Sequence, residues 1–297
     1  SKVSPGCTSC YAETMSRRLS HNPKYALATK ADGTWSGVLS CHEDVLDQPL
    51  RWKTPRRIFV CSMSDLFHSQ VPWDFIGKVF DVMMSCPQHT FQLLTKRPGR
   101  MAFWAEQMAA ICEERGLPWR WPPWIWAGTS VESQKYAPRL ECLARVPAKV
   151  RFVSVEPMLG PVDLRKWFCS HKFSGEERGV MPYPGSMSRC LDCLNIVQRP
   201  ASSSADRRPI LSWVIVGAES GPGARPMDLA WARDLVGQCQ AAGVACFVKQ
   251  LGRNPILHGN EITPPFVRGR HLLIDPKGGD PAEFPADLRV REMPAGG

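Results

Sequence analysis

Six short apolar segments recur along the chain at a nearly constant interval, and this rhythm most restricts the fold. Their start-to-start intervals are 33, 34, 26, 63 and 32 residues, so four of the five match one strand–helix unit of roughly 30 residues. Short segments rich in β-branched and aromatic residues suit strands buried on both faces of a parallel sheet. The predicted strands are Arg57–Ser62, Thr90–Leu94, Trp124–Ala127, Val150–Val153, Trp213–Val216 and Ala245–Val248. We therefore predict an α/β fold, and we favour a complete or partial TIM-like (β/α) barrel over a doubly wound sheet.

Helical patterns fill the spaces between the predicted strands. They cover Trp73–Ser85, Arg100–Glu114, Lys135–Arg145 and Asp228–Ala242. The 63-residue interval is two units long and contains no clear strand, which indicates a small insertion at about residues 165–210. A C-terminal extension at about residues 253–297 follows the last predicted strand. We predict a single barrel domain over residues 1–297.

Polar or charged residues follow every predicted strand directly. The carboxyl ends of parallel strands converge on one face, where α/β barrels carry their active sites. Charges placed beside buried strands are costly to desolvate unless they pair or bind a ligand. The strand-end residues are Ser62, Ser64, Asp65, Lys96, Arg97, Ser130, Glu132, Ser154, Glu156, Glu219 and Lys249. Two interpretations stay open, a site for a polar small molecule or a ring of salt bridges that closes the barrel mouth.

The chain carries 12 cysteines and begins with no basic-then-apolar signal segment, which predicts a cytoplasmic protein with metal-bound or reduced thiols. Cys7 and Cys10 form a C-x-x-C pair in a Pro-Gly turn, directly before a predicted helix start. Two thiols at this spacing suit an iron–sulfur cluster, a redox pair or half of a zinc site, and spacing alone does not separate these three.

A second group of metal-ligand residues falls in the predicted insertion. Its members are Cys169, His171, Cys190 and Cys193. Four soft ligands in two close pairs predict a structural zinc site, because four protein ligands leave no open coordination position. The alternative is an ordinary surface loop with unused thiols. The other cysteines are expected to pack in the core.

The charge balance predicts a polyanionic partner. Lys and Arg number 37 against 28 Asp and Glu, which gives a formal net charge of +9. An excess of this sign favours a nucleic acid or nucleotide, although it also serves solubility alone. The longest apolar runs span only a handful of residues, whereas a membrane helix needs about 20, so no membrane partner is expected.

Taken together, these motifs resemble a known family. The chain is similar to the phage and prophage family named for gene products thirty-seven and sixty-eight, over nearly its whole length outside the insertion. The motifs that carry the resemblance are Lys2-Val3-Ser4-Pro5-Gly6-Cys7, Cys10-Tyr11-Ala12, Ser62-Met63-Ser64-Asp65-Leu66-Phe67, Leu94-Thr95-Lys96-Arg97-Pro98, Gly128-Thr129-Ser130-Val131-Glu132, Ser154-Val155-Glu156-Pro157, Gly217-Ala218-Glu219-Ser220-Gly221, Val248-Lys249-Gln250 and Asp275-Pro276-Lys277-Gly278-Gly279.

The resemblance implies a divergent radical S-adenosylmethionine enzyme with three cysteines around a 4Fe-4S cluster. Cys7 and Cys10 match the last two cysteines, and the first is expected immediately before Ser1, together with the first barrel strand further upstream. By the same analogy, Ser62, Ser64 and Asp65 would hold the methionine ammonium of the cofactor. Its ribose hydroxyls would bind the residues Ser130, Glu132, Ser154 and Glu156. The candidate catalytic and substrate-holding residues are Lys96, Arg97, Glu219 and Lys249.

The leading hypothesis is therefore a radical S-adenosylmethionine-type enzyme that modifies or repairs a nucleic-acid base or nucleotide, with an electron donor protein as a partner. The phage association implies the host cytoplasm. One alternative is a non-catalytic nucleic-acid-binding protein stabilised by zinc. The other is a cluster-free barrel enzyme that uses its strand-end carboxylates.

Overall fold

The structure is a computed structural model. It describes residues 2–168, 210–257 and 273–295, and the backbone of four short strands at 187–189, 196–198, 266–267 and 270–271. The strands are β1 (Arg57–Val60), β2 (Thr90–Thr95), β3 (Ile125–Ser130), β4 (Arg151–Val155), β5 (Met187–Arg189), β6 (Ile196–Gln198), β7 (Trp213–Gly217), β8 (Met227–Asp228), β9 (Ala245–Gln250), β10 (Pro255–Ile256), β11 (Phe266–Val267) and β12 (Arg270–His271). The α-helices are α1 (Tyr11–Arg18), α2 (Pro23–Ala26), α3 (Gln48–Arg51), α4 (Trp73–Met84), α5 (Pro98–Glu114), α6 (Arg139–Ala144), α7 (Arg165–Phe168) and α8 (Leu229–Ala242).

Six parallel strands form the main sheet in the order β1-β2-β3-β4-β7-β9. Every neighbouring pair in this sheet is parallel. The sheet curls into a half-barrel with helices packed on it, so the predicted α/β class is confirmed. Since the strand order follows the chain order, the sheet lacks the reversal that defines a doubly wound fold, within the part of the chain that the structure describes.

All six predicted strands are present, and the differences lie at their ends. β3 continues through Thr129 and Ser130, and β9 continues through Lys249, because the backbone ladder extends past the apolar side chains. The predicted helix Lys135–Arg145 divides into a 3-10 turn and the shorter helix α6. Pro138 precedes α6, and a proline at this position fixes the start of a helix.

The two faces of the main sheet pack differently. On the outer face, side chains such as Phe91, Leu93 and Val153 enter a large core with the helices. On the inner face, an aromatic cluster fills the half-barrel, and Trp213 contacts Trp126, Phe152 and Phe247 with ring centroids 5.6 to 6.1 Å apart. The cluster lies near the amino ends of the strands, and polar residues occupy the inner face at the carboxyl edge.

The predicted C-terminal extension packs along one edge of the sheet. The backbone N–H of Val248 donates to the carbonyl of Val290 at 2.9 Å, and an isolated antiparallel bridge joins Phe247 to Arg291. The indole of Trp213 donates to the carbonyl of Glu292. The segment 290–292 therefore covers the edge that β9 would otherwise leave open. Among the described residues, no helix is long and apolar enough to cross a bilayer.

Candidate functional site

The C-x-x-C pair lies on a short loop at the carboxyl edge of the sheet. Pro5–Cys7 forms one 3-10 turn, and Cys10 is the N-cap of α1. Both thiols are free and partly exposed. The structure thus brings the cysteine loop to the predicted mouth, although about fifty residues separate it from the first strand of the sheet.

Glu132, at the end of β3, anchors this loop to the sheet. Its side chain is 0% exposed, and it lies directly after β3. One carboxylate oxygen lies 2.5 Å from the Nζ of Lys96 and accepts a hydrogen bond from the Oγ of Ser4 at 2.5 Å. The other oxygen pairs with Arg139 at 2.9 Å. Both carboxylate oxygens have partners inside the protein, and the contact with Ser4 ties Glu132 to the cysteine loop. The assignment of Glu132 to ribose hydroxyls stays a prediction.

The loop fits Glu132 only because residue 6 is glycine. A Cβ atom on Gly6 would lie 2.5 Å from the Oε1 of Glu132 and 2.9 Å from the Nζ of Lys96. These distances are shorter than real Cβ contacts, so a side chain at position 6 would force Glu132 or Lys96 to move.

Lys96 also reaches the first thiol. Its Nζ lies 3.6 Å from the Sγ of Cys7, and the Oγ of Ser4 lies 3.8 Å from the same sulfur. Burial opposes ionisation of Cys7, but backbone hydrogen bonds from Val3 and Ser4 and the positive charge of Lys96 outweigh it and lower the pKa of the thiol. A lowered pKa increases the fraction of thiolate, which is the form that binds metals or attacks electrophiles.

A second clasp holds the loop from the other side. Arg225 forms an ion pair with Glu219, which follows β7, and donates a hydrogen bond from Nη2 to the carbonyl of Pro5 at 2.9 Å. Burial opposes ionisation of Glu219, but hydrogen bonds and charge from Arg225 lower the pKa of its carboxyl. Glu219, a predicted catalytic residue, therefore orients Arg225 toward the cysteine loop.

Asp65 stabilises the loop that follows β1. One oxygen accepts from the Oγ1 of Thr95 at 2.7 Å and from the backbone N–H of Phe67 at 3.0 Å, and the other pairs with Arg97 at 2.7 Å. The hydroxyl of Tyr11 donates to the carbonyl of Ser62. This contact places the helix that follows Cys10 beside the predicted residues Ser62 and Ser64.

The inner face next to these loops carries the remaining candidates. Ser130 and Ser154 are paired in register and each is 3% exposed, so their hydroxyls share the inner face above the aromatic cluster. Lys249 contacts both oxygens of Glu156, at 2.9 and 3.0 Å. A Cβ on Gly217 would lie 3.1 Å from the Cδ of Glu156, so a glycine here makes room for the pair.

The structure places the predicted strand-end residues and both loop cysteines at the carboxyl edge of the sheet. All four strand-end carboxylates pair with cations, as the salt-bridge interpretation predicts. Sequence analysis missed Ser4, Tyr11, Arg139 and Arg225, which lie on turns and helices away from the strand ends. Only Ser4 and Tyr11, which flank the C-x-x-C motif, carried a local signal.

The predicted zinc ligands Cys169, His171, Cys190 and Cys193 lie outside the described residues. Within residues 2–168, 210–257 and 273–295, no three His, Cys, Asp or Glu side chains are grouped as a complete metal site. Cys7 and Cys10 are two partly exposed thiols on one loop, a donor set that an iron–sulfur cluster or a zinc ion could use together with further ligands. Their donor type, partial exposure and neighbouring cation match that use.

The fold and the site define a half-barrel α/β protein with a cysteine loop clasped over the carboxyl edge of its sheet. The chain belongs to the family described as protein of unknown function DUF5131, whose model matches residues 1–269. Comparison with curated proteins and with solved structures gave no match.

Proposed function

We propose that this protein is a radical S-adenosylmethionine-type iron–sulfur enzyme that modifies or repairs a nucleic-acid base or nucleotide. The observation that carries the proposal is the cysteine loop, which Glu132, Lys96 and Arg225 hold over the polar end of a half-barrel. A loop serving only to begin a helix needs no buried carboxylate beneath it. The resemblance described above and the net charge of +9 supply the cluster type and the substrate class.

In this proposal Cys7 and Cys10 hold two positions of a 4Fe-4S cluster, and a third cysteine, which the resemblance implies, would hold the remaining position. When bound, the cluster and S-adenosylmethionine supply reductive cleavage to a deoxyadenosyl radical, with electrons from a donor protein. The residues of this chain position and shield that chemistry. Lys96 places positive charge 3.6 Å from the Cys7 sulfur, which favours the thiolate.

The inner face supplies the cofactor pocket in this proposal. Ser130 and Ser154 offer hydroxyls beside the Glu156–Lys249 pair, and the aromatic cluster beneath them excludes water. Glu156 remains the best candidate for a ribose hydroxyl, because its one partner among the described residues is the half-exposed Lys249. Lys249 retains exposure for substrate phosphates, in keeping with a catalytic or binding role.

Anaerobic reconstitution with ferrous iron and sulfide tests the proposal. The chain as it stands is compared with a version that carries Gly-Cys ahead of Ser1, and with Cys7→Ala and Cys10→Ala in that version. We expect a brown 4Fe-4S chromophore in the extended chain, loss of it in both alanine variants, and retention in the control Cys112→Ala, which lies on α5. Deoxyadenosine released from S-adenosylmethionine supports the enzyme, and Glu156→Ala is expected to weaken cofactor binding.

The same experiment separates the two alternatives. A colourless extended chain that holds zinc supports a zinc-stabilised nucleic-acid-binding protein. Turnover that survives removal of every metal supports a cluster-free barrel enzyme using the strand-end carboxylates. Either result rejects the iron–sulfur proposal.

A further inference from the structure

A cluster of exposed aromatic side chains lies beside the mouth, away from the cysteine loop. Trp73 is 41% exposed and Phe103 is 47% exposed, whereas Trp104 and Trp121 nearby are buried. The Trp73 and Phe103 rings lie 5.9 Å apart, and the guanidinium of Arg100 stacks 4.1 Å above Trp73. We define Trp73, Arg100 and Phe103 as the rim platform.

The fold puts the rim platform at the same end of the sheet as the cysteine loop. Trp73 begins α4, which follows the loop after β1. Arg100 and Phe103 lie in the first turns of α5, which begins directly after the end of β2. Since both helices start at the carboxyl edge, the platform borders the mouth.

A hydrogen bond holds the guanidinium of Arg100 in place, but no carboxylate forms an ion pair with it among the described residues. Its Nη2 donates to the carbonyl of Val71 at 2.7 Å, while its Nη1 is a buried atom without a hydrogen-bond partner among the described residues. Asp65, the carboxylate that neighbours it, already pairs with Arg97. The platform thus combines a guanidinium held in place by Val71 with two exposed rings.

We infer that the rim platform binds single-stranded nucleic acid at the entrance to the mouth, with a base stacked on the exposed Trp73 or Phe103 ring and the positive charge of Arg100 attracting a phosphate. Exposed aromatic rings combined with positive charge are the usual means of binding single strands, because every base has a stacking face. The charge complementarity comes from Arg100, which forms no ion pair among the described residues, and from the formal net charge of +9. This inference deepens the proposed function by naming its substrate class.

Fluorescence anisotropy with a labelled twelve-nucleotide thymidine single strand tests the inference on the intact chain, at several salt concentrations. Stacking contributes enough that Trp73→Ala or Phe103→Ala is expected to weaken binding by about 5- to 150-fold. Arg100→Gln is expected to weaken binding and to reduce the slope of log affinity against log salt by about 0.7. Trp73→Phe keeps a ring and should retain binding within about threefold.

Two matched controls separate the rim platform from general charge and exposure. Arg115→Gln removes the same charge at the other end of α5, and Phe59→Ala removes an aromatic ring that is 43% exposed on β1. Both should bind like the wild type. Equal losses in the controls, tighter binding of a duplex, or no binding at all would overturn the inference. The reconstitution experiment contains no nucleic acid, so its outcome is independent of this one.

Discussion

Replacing Glu132 with glutamine removes the charge at the centre of the site and keeps the shape of the side chain. Lys96 and Arg139 then keep positive charges with side-chain exposures of only 19% and 14%, and they lose the carboxylate between them. Breaking a buried ion pair by removing one partner costs about 3–5 kcal/mol. We expect the low end, about 3 kcal/mol in the free energy of unfolding, because both cations retain some solvent.

Urea denaturation at neutral pH measures this loss, and Glu106→Gln is its matched control. Glu106 pairs with Arg145 through two hydrogen bonds, but these side chains are 44% and 53% exposed. An exposed pair of this kind contributes about 1 kcal/mol or less. If Glu132→Gln costs no more than Glu106→Gln, Glu132 does not anchor the cysteine loop.

The pH dependence gives a second readout. Burial opposes ionisation of Glu132, but Lys96, Ser4 and Arg139 outweigh it and lower the pKa of the carboxyl from its ordinary 4.5. A lowered folded-state pKa contributes stability that is present above the unfolded value and is lost as the pH falls through the folded value. The difference in unfolding free energy between wild type and Glu132→Gln should therefore be constant above about pH 5.5 and shrink below about pH 4.5. A difference that grows on acidification would contradict this assignment.

Three further outcomes are expected. Gly6→Ala should displace the cysteine loop and lower the iron bound on reconstitution, measured by iron content, while Gly77→Ala, which has nothing within 4 Å in α4, should bind iron normally. In native iodoacetamide labelling followed by mass spectrometry, Cys7 should react first, because its pKa is lowered. Cys86 and Cys239 should react last, because their pKa values are raised. Burial raises the pKa of Cys86, and a hydrogen bond with Cys246 together with burial raises that of Cys239. Arg225→Met should increase hydrogen exchange of the backbone around Pro5, because the hydrogen bond to the Pro5 carbonyl is lost. Unchanged exchange there would show that Arg225 does not restrain the loop.

The fold could be predicted because its signal is local and repeated. Each strand of the main sheet is a short apolar run, and strands such as Trp213–Gly217 start at the predicted residue. The strand-end candidates followed from the same pattern, since parallel strands bring residues such as Ser130 and Ser154 into register.

The clasp on the cysteine loop could not be predicted in this way. Ser4 and Glu132 are 128 positions apart, and Pro5 and Arg225 are 220 apart. No periodicity links such pairs, because each contact depends on where two loops dock after the sheet has formed. Sequence analysis therefore located Glu132 and Glu219 at the strand ends but not their contacts with the cysteine loop, and their assignment to ligands stays a prediction.

If the cysteine loop binds a metal group as proposed, the two clasps would connect that binding to the stability of the sheet. Glu132 follows β3 and Glu219 follows β7, and β4 lies between these strands, so the cysteine loop spans the end of β4 above Glu156. The pKa of Tyr11 is raised by burial and by negative charge from Cys10 and Glu156, which agrees with this placement. A group bound by Cys7 and Cys10 binds only the folded loop, so it should raise the unfolding free energy of the strands beneath it. Because Lys96 contacts both Glu132 and Cys7, neutralising Lys96 should reduce that linkage more than removing the more distant Lys249 does.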